Sequence, residues 1–216
     1  MKKRFLPFLL FTLFLNSCIG ISMDIQMRKD GSGRINMEYR ISNMAETIGK
    51  LDGNENWPVI PVGRSDLERS IMRIPGMKIA SYSLREGGKD TVITAAIEYE
   101  NTAALMKFLD PAGKNRASFN KKDQLNTLEI IINDPASLQI NADLIELIKQ
   151  NFLGYNFSIS FSADKNSSMI ITDGGGREIT PPPALQLSPS GKKVSLSIEM
   201  AEILSLKDGL GLRFTW

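Results

Sequence analysis

After residue 22, apolar and polar positions alternate with a period of two through most of the chain. Met23, Ile25 and Met27 alternate with Asp24, Gln26 and Arg28, and Ile35, Met37, Tyr39 and Ile41 alternate with Asn36, Glu38, Arg40 and Ser42. Between these runs lies Asp30-Gly31-Ser32-Gly33, a composition that favours a tight turn. The two runs predict a β-hairpin with one apolar face. Strands are also predicted near 78–86 and 91–99, joined by Gly87-Gly88, and near Leu128, Ile130 and Ile132, where Ile131 breaks the alternation. Tyr155, Phe157, Ile159 and Phe161 against Asn156, Ser158, Ser160 and Ser162 give the clearest strand. A weaker strand at 167–172 follows, then one through Val194, Leu196, Ile198 and Met200, and a last one through Leu210, Leu212, Phe214 and Trp216.

Helical spacing is confined to short stretches. Asn43 with Glu46 has the form of a capping box before a helix that stops near Gly49, and Ser65 with Glu68 repeats it before Leu67, Ile71 and Ile74. Ala103 to Leu109 reads as a short helix before Pro111. Asn141 caps a longer one to about Phe152, with Leu144, Ile145, Ile148 and Phe152 on one stripe. Residues 49–64, punctuated by Pro58 and Pro61, and Thr180 to Gly191, rich in Pro and Ser, read as loops. The expected fold is therefore α+β: two layers, a mainly antiparallel sheet with amphipathic helices covering one face.

The first 18 residues, MKKRFLPFLLFTLFLNSC, follow a different pattern. Lys2, Lys3 and Arg4 precede an apolar run from Phe5 to Leu15 that is too short for the roughly 20 residues of a membrane-spanning helix. That is the form of a secretory signal. Leu15-Asn16-Ser17-Cys18 resembles the lipobox of bacterial lipoproteins, with a branched apolar residue three positions before the cysteine and a small one directly before it. Asn16 departs from the commonest pattern and is similar to looser versions found among spirochaete lipoproteins. The resemblance implies cleavage after Ser17 and acylation, palmitate included, at Cys18. Residues 1–17 are then the signal, 18–22 the acylated cysteine with a short tether, and 23–216 a single domain. The stretch 110–124 is where that domain would divide if it held two subdomains.

Composition narrows the function. The chain carries 26 Lys and Arg against 24 Asp and Glu, a formal charge of +2, and loss of the signal removes three positive charges. A near-neutral body argues against nucleic acid as a partner. Cys18 is the only cysteine, so an exported body has no disulfides and depends on packing. Two or more acyl chains at about 0.8 kcal/mol per buried methylene hold a protein firmly to a bilayer.

There is no histidine, which removes the usual triads, the common zinc ligand sets and the commonest general base. No catalytic, metal or cofactor site is expected, and the chain reads as a non-enzyme. Gly174-Gly175-Gly176 is followed by Arg177-Glu178 and prolines and not by the helix a phosphate cradle needs, so it reads as a turn. Met23, Met27, Met37, Met72, Met106 and Met200 fall on apolar faces, where they serve as core filler or as a deformable apolar site. The candidate contacts for a ligand or partner are Trp57, Tyr155, Phe157 and Phe161, Trp57 having as its alternative a loop folded back on the core. The alternation ending at Trp216 has the look of an outer-membrane barrel's last strand, but the strands lack aromatic girdles.

Asp30-Gly31-Ser32-Gly33, Ile74-Pro75-Gly76-Met77 and Leu212 to Trp216, in this order, resemble the LppM-type lipoprotein domain. The resemblance spans most of residues 18–216 and implies an α+β fold likened to lipid-binding proteins. Many members continue into a C-terminal transmembrane helix, whereas this chain stops at Trp216 and would rely on its acyl anchor. The combined expectation is an envelope lipoprotein binding a lipid or other amphiphile close to the membrane. The alternative is a docking component of an envelope assembly. Ile19 is not the aspartate that retains lipoproteins at the inner membrane in enterobacterial-type sorting, which favours the outer membrane.

Overall fold

The structure is a computed structural model that describes residues 19–42, 64–114, 116–133 and 154–216. Cys18, Trp57, the helix expected after Asn43 and the helix expected from Asn141 lie outside the described residues. Among those described there are ten strands and three short helices.

β1 (Ile19–Met27) and β2 (Gly33–Ser42) form the expected hairpin. Its turn is held by Asp30, whose Oδ1 accepts from the Ser32 backbone N–H at 3.0 Å and from Ser32 Oγ at 2.7 Å. Gly31 supplies the positive φ of 85° that an L side chain resists. Helix α1 (Arg64–Met72) starts one residue ahead of the expected cap and buries Leu67, Ile71 and, just beyond it, Ile74. It packs on β3 (Met77–Glu86), which pairs with β4 (Asp90–Tyr99) around Gly87-Gly88. Helix α2 (Thr102–Leu109) is capped by Asn101, which accepts from the Ala104 N–H.

β5 (Ala117–Lys122) and β6 (Leu125–Asn133) follow, then β7 (Asn156–Thr172), β8 (Gln186–Ser188), β9 (Ser190–Glu199), helix α3 (Met200–Ser205) and β10 (Leu210–Thr215). Three of these were not expected: β5, β8 inside the Pro- and Ser-rich loop, and α3. The strands expected at 155–162 and 167–172 are one strand of 17 residues.

The expectation of a two-layer α+β fold with helices over one sheet face is corrected. The described chain is mostly strand, one curled sheet in the order β3-β4-β2-β1-β7-β10-β6-β5, with β9 on β7 and β8 on β9. Most pairs are antiparallel, but β1 and β7 run parallel. The curl follows from short spans. Flat, β4 and β5 would stand about 29 Å apart, six strand spacings. They are joined by α2, about 12 Å long, and a turn tightened by Asp110, whose carboxylate accepts from the Lys114 and Arg116 N–H groups.

β7 bends as well. Phe161 and Met169 are eight residues apart on it, about 26 Å if straight. Yet the Phe161 ring lies 5.1 Å from that of Phe214, which pairs with Met169. The bend falls where the β7–β9 register shifts, between Ser162 and Ser167. It folds the sheet over a cluster of Phe119, Phe161, Phe214 and Trp216, with Trp216 4.6 Å from Phe161 and 6.0 Å from Phe119. Among the described residues the apolar face is covered mostly by the sheet itself, and the helices add Leu67, Ile71, Ala104, Leu105 and Ile203 to the core from outlying strands. α1 packs on β3, α2 on β4 and β5, and α3 on β9.

Candidate functional site

The sequence places its strongest functional signal at Cys18, and the structure begins its sheet at the next residue. Ile19 already pairs with Ile41, and β1 continues with β2 on one side and β7 on the other. Of the stretch 18–22 expected as a tether, Ile19 to Ser22 belong to this strand, and Cys18 lies outside the described residues. The residue that follows Cys18 in sequence thus belongs to a central strand, not to an edge strand.

The outward face of that strand carries Gly20, Ser22, Asp24 and Gln26. Beside its start is a cavity of ≈ 210 Å³ whose lining includes Gly20, Glu38, Arg40, Tyr155 and Asn156. Gly20 keeps this floor low, since a Cβ there would stand 3.3 Å from Tyr155 Cδ1 and 3.7 Å from Arg40 Cβ. Tyr155 is buried and donates its hydroxyl to Asp90 Oδ1 at 2.5 Å, tying β7 to β4 across two strands.

Further along the same face the register aligns small hydroxyls in rows. Ser22 stands beside Ser158, Ser158 beside Ser197 and Ser197 beside Gln186; in the next row Asp24, Ser160, Ser195 and Ser188 follow one another. All of these but Asp24 line an open groove of ≈ 430 Å³. The groups pair among themselves: Ser158 and Ser197 hydroxyls lie 2.9 Å apart, and Asp24 accepts from Ser160, Gln26 and Lys193. Partial burial would raise the Asp24 carboxyl, but the hydrogen bonds from Lys193, Ser160 and Gln26 outweigh it and hold the group below its ordinary value.

The glycine loop is a closed turn. The buried Asp173 carboxylate accepts from the Gly175 and Arg177 N–H groups, each at 2.9 Å, and from Arg177 Nε at 2.8 Å. Gly174 N–H goes to Asp208 O and Gly176 N–H to Asp173 O. The amides that would cradle a phosphate are already used. These bonds, the Arg177 amide first, hold the Asp173 carboxyl below its usual range.

Phe157 and Phe161 are buried with Tyr155, and Phe161 is fully enclosed in the aromatic cluster. The structure therefore brings these three candidates into the core. Met27 and Met37 are buried, Met23, Met106 and Met200 pack against the core, and Met72 is 82% exposed. Met72 was expected on an apolar face; α1 turns it outward, one residue past Ile71. Arg40 and the serine rows were missed by sequence reasoning. Their polar positions read only as the outward side of strands until the register showed which of them meet. Among the described residues no three Asp, Glu or Cys side chains gather as a metal site, and no helix is long and apolar enough to cross a membrane.

No family model matches the chain, and no curated protein matches it. Among solved structures, the NMR structure of the folded domain of LppM from Mycobacterium tuberculosis is similar over 85% of this chain and 91% of that one. The identity is 10% and the TM-score 0.39, and a superposition so loose carries no weight for function.

Proposed function

We propose that the protein is a non-enzymatic lipoprotein of the bacterial cell envelope, held to a membrane by acyl chains on Cys18, with its body working at the bilayer surface. One observation carries the reading: a lipobox-like Leu15-Asn16-Ser17-Cys18 stands directly before the first residue of a central strand. A body joined without a linker stays within a few ångströms of the headgroups and meets lipid or membrane proteins there. The lack of histidine supports the non-enzymatic part, and Ile19 after the cysteine supports the outer membrane. The test is fractionation of cells expressing the full chain. Wild type is expected in the membrane pellet and, on a density gradient, with the outer membrane, whereas Cys18→Ser is expected in the soluble or secreted fraction. Equal retention of both forms would sink the reading.

Lipid as the ligand is supported by this closeness to the bilayer rather than by an apolar chamber, since the methionines and aromatics largely pack on one another. Native mass spectrometry of the full-length protein extracted in mild detergent tests it, with lipid retained beyond the covalent chains as the expected result. Docking to an envelope protein has its own support. β3 is the end strand of the described sheet, ten residues long and mostly exposed. Such an edge accepts a partner strand.

A further inference from the structure

Resting on the lipoprotein reading, the direction and register of β1 give the body an orientation. β1 runs away from Cys18 for nine residues, so the Asp30 turn stands about 30 Å from the anchor along the strand. At the near end, Ile19 is level with Ile41, Ile41 with Thr91, and Thr91 with Glu86. The β3–β4 turn, Gly87 to Lys89, therefore projects past the level at which the chain leaves for Cys18. On β7, Phe157 is level with Ile21, which brings Tyr155 level with Ile19. The registers thus put the end of β2, the β3–β4 turn and the start of β7 at or beyond the level of Ile19.

Two chemical features fit that end to lipid headgroups. Arg40 and Lys89 are exposed, and among the described residues neither is in an ion pair. Arg40 stands opposite Gly20, beside the small cavity at the root of β1, and nearer the anchor than Glu38 on the same face. A guanidinium so placed is suited to the paired oxygens of a phosphate.

We propose that this end of the sheet lies on the bilayer surface, with Arg40 on a lipid phosphate and the Gly87–Lys89 turn among the headgroups, while the Asp30 turn points away. The full-length, acylated protein would be reconstituted in vesicles of phosphatidylethanolamine and phosphatidylglycerol containing a nickel-chelating headgroup lipid. Spin labels would be placed singly at Lys89→Cys and Asp30→Cys, Cys18 being blocked by its acyl chains. Several-fold stronger paramagnetic relaxation at Lys89→Cys than at Asp30→Cys is expected, and Arg40→Glu should weaken it at Lys89→Cys. Equal or reversed relaxation in protein whose intact mass shows the acyl chains overturns the orientation and leaves the lipoprotein reading standing. No effect of Arg40→Glu overturns the phosphate contact. A mass without acyl chains overturns the reading and the orientation together.

Discussion

Gly33 is the position at which one added methyl group has the largest local effect. A Cβ there would stand 2.0 Å from the Gln26 carbonyl oxygen and 2.3 Å from the Tyr99 hydroxyl, which donates to that same oxygen. Gly33→Ala must displace Tyr99 and break its bond, so it should lower the unfolding free energy by about 3 kcal/mol, overpacking and a lost buried hydrogen bond together. Urea denaturation reads this directly. The turn at Asp30 to Gly33 was legible because its residues are local turn formers. The demand on Gly33 was not, because Tyr99 arrives from a strand far along the chain. Asp24 gives a pH dependence. Its folded carboxyl is held below the ordinary value, so its stabilising contribution is complete above about pH 4, the unfolded value, and is lost as pH falls through the folded one. Asp173 acts with the same sign. Stability should be level from pH 7 to 5 and decline below 4. Asp24→Asn should lower stability at pH 7 by about 1 kcal/mol and make the acid decline shallower; unchanged melts at pH 7, 5 and 3 would refute this.

At the scale of elements, β7 decides the shape of the sheet. Its first half pairs with β1 and its second with β10, and the bend between them sets Phe161 against Phe214 and Trp216. Phe161→Ala removes the ring that both halves close upon and should cost about 3–5 kcal/mol. Thermal unfolding would measure it, and a loss under 1 kcal/mol would show that the two halves do not depend on this contact. The hairpins were readable because alternation and turn chemistry are local. The broken alternation at Ile131 has a distant cause: Leu210 pairs with Asn133 and Gly211 with Ile131, which leaves Ile132 as the extra residue of a bulge. β5 was not readable, because Ala-Ser-Phe-Asn-Lys-Lys carries one large apolar residue and exists by pairing with β6. The continuity of β7 through Asp164, Lys165 and Asn166 was equally hidden, since those exposed residues read as a break.

For the whole molecule, the architecture was the part that sequence did not contain. Short amphipathic helices implied a covering layer, but the parallel pairing of β1 with β7, the bend in β7 and the short crossing from β4 to β5 depend on contacts between distant segments. Among the described residues the sheet's apolar face is covered mostly by the sheet, with Leu67, Ile71, Ala104, Leu105 and Ile203 of the helices joining the core at its margins. The proposed attachment at Cys18 rests on a local pattern that sequence alone can carry, whereas the meeting of Gly20 with Arg40 and the serine rows needed the register. The two levels meet in one claim: a sheet joined to acyl chains with no intervening linker. Intact-mass spectrometry of the full-length protein extracted from membranes tests it most directly. The expected result is a chain that begins at Cys18 and carries the mass of at least two acyl chains. A chain with a free Cys18 thiol, or with residues 1–17 still attached, would contradict it.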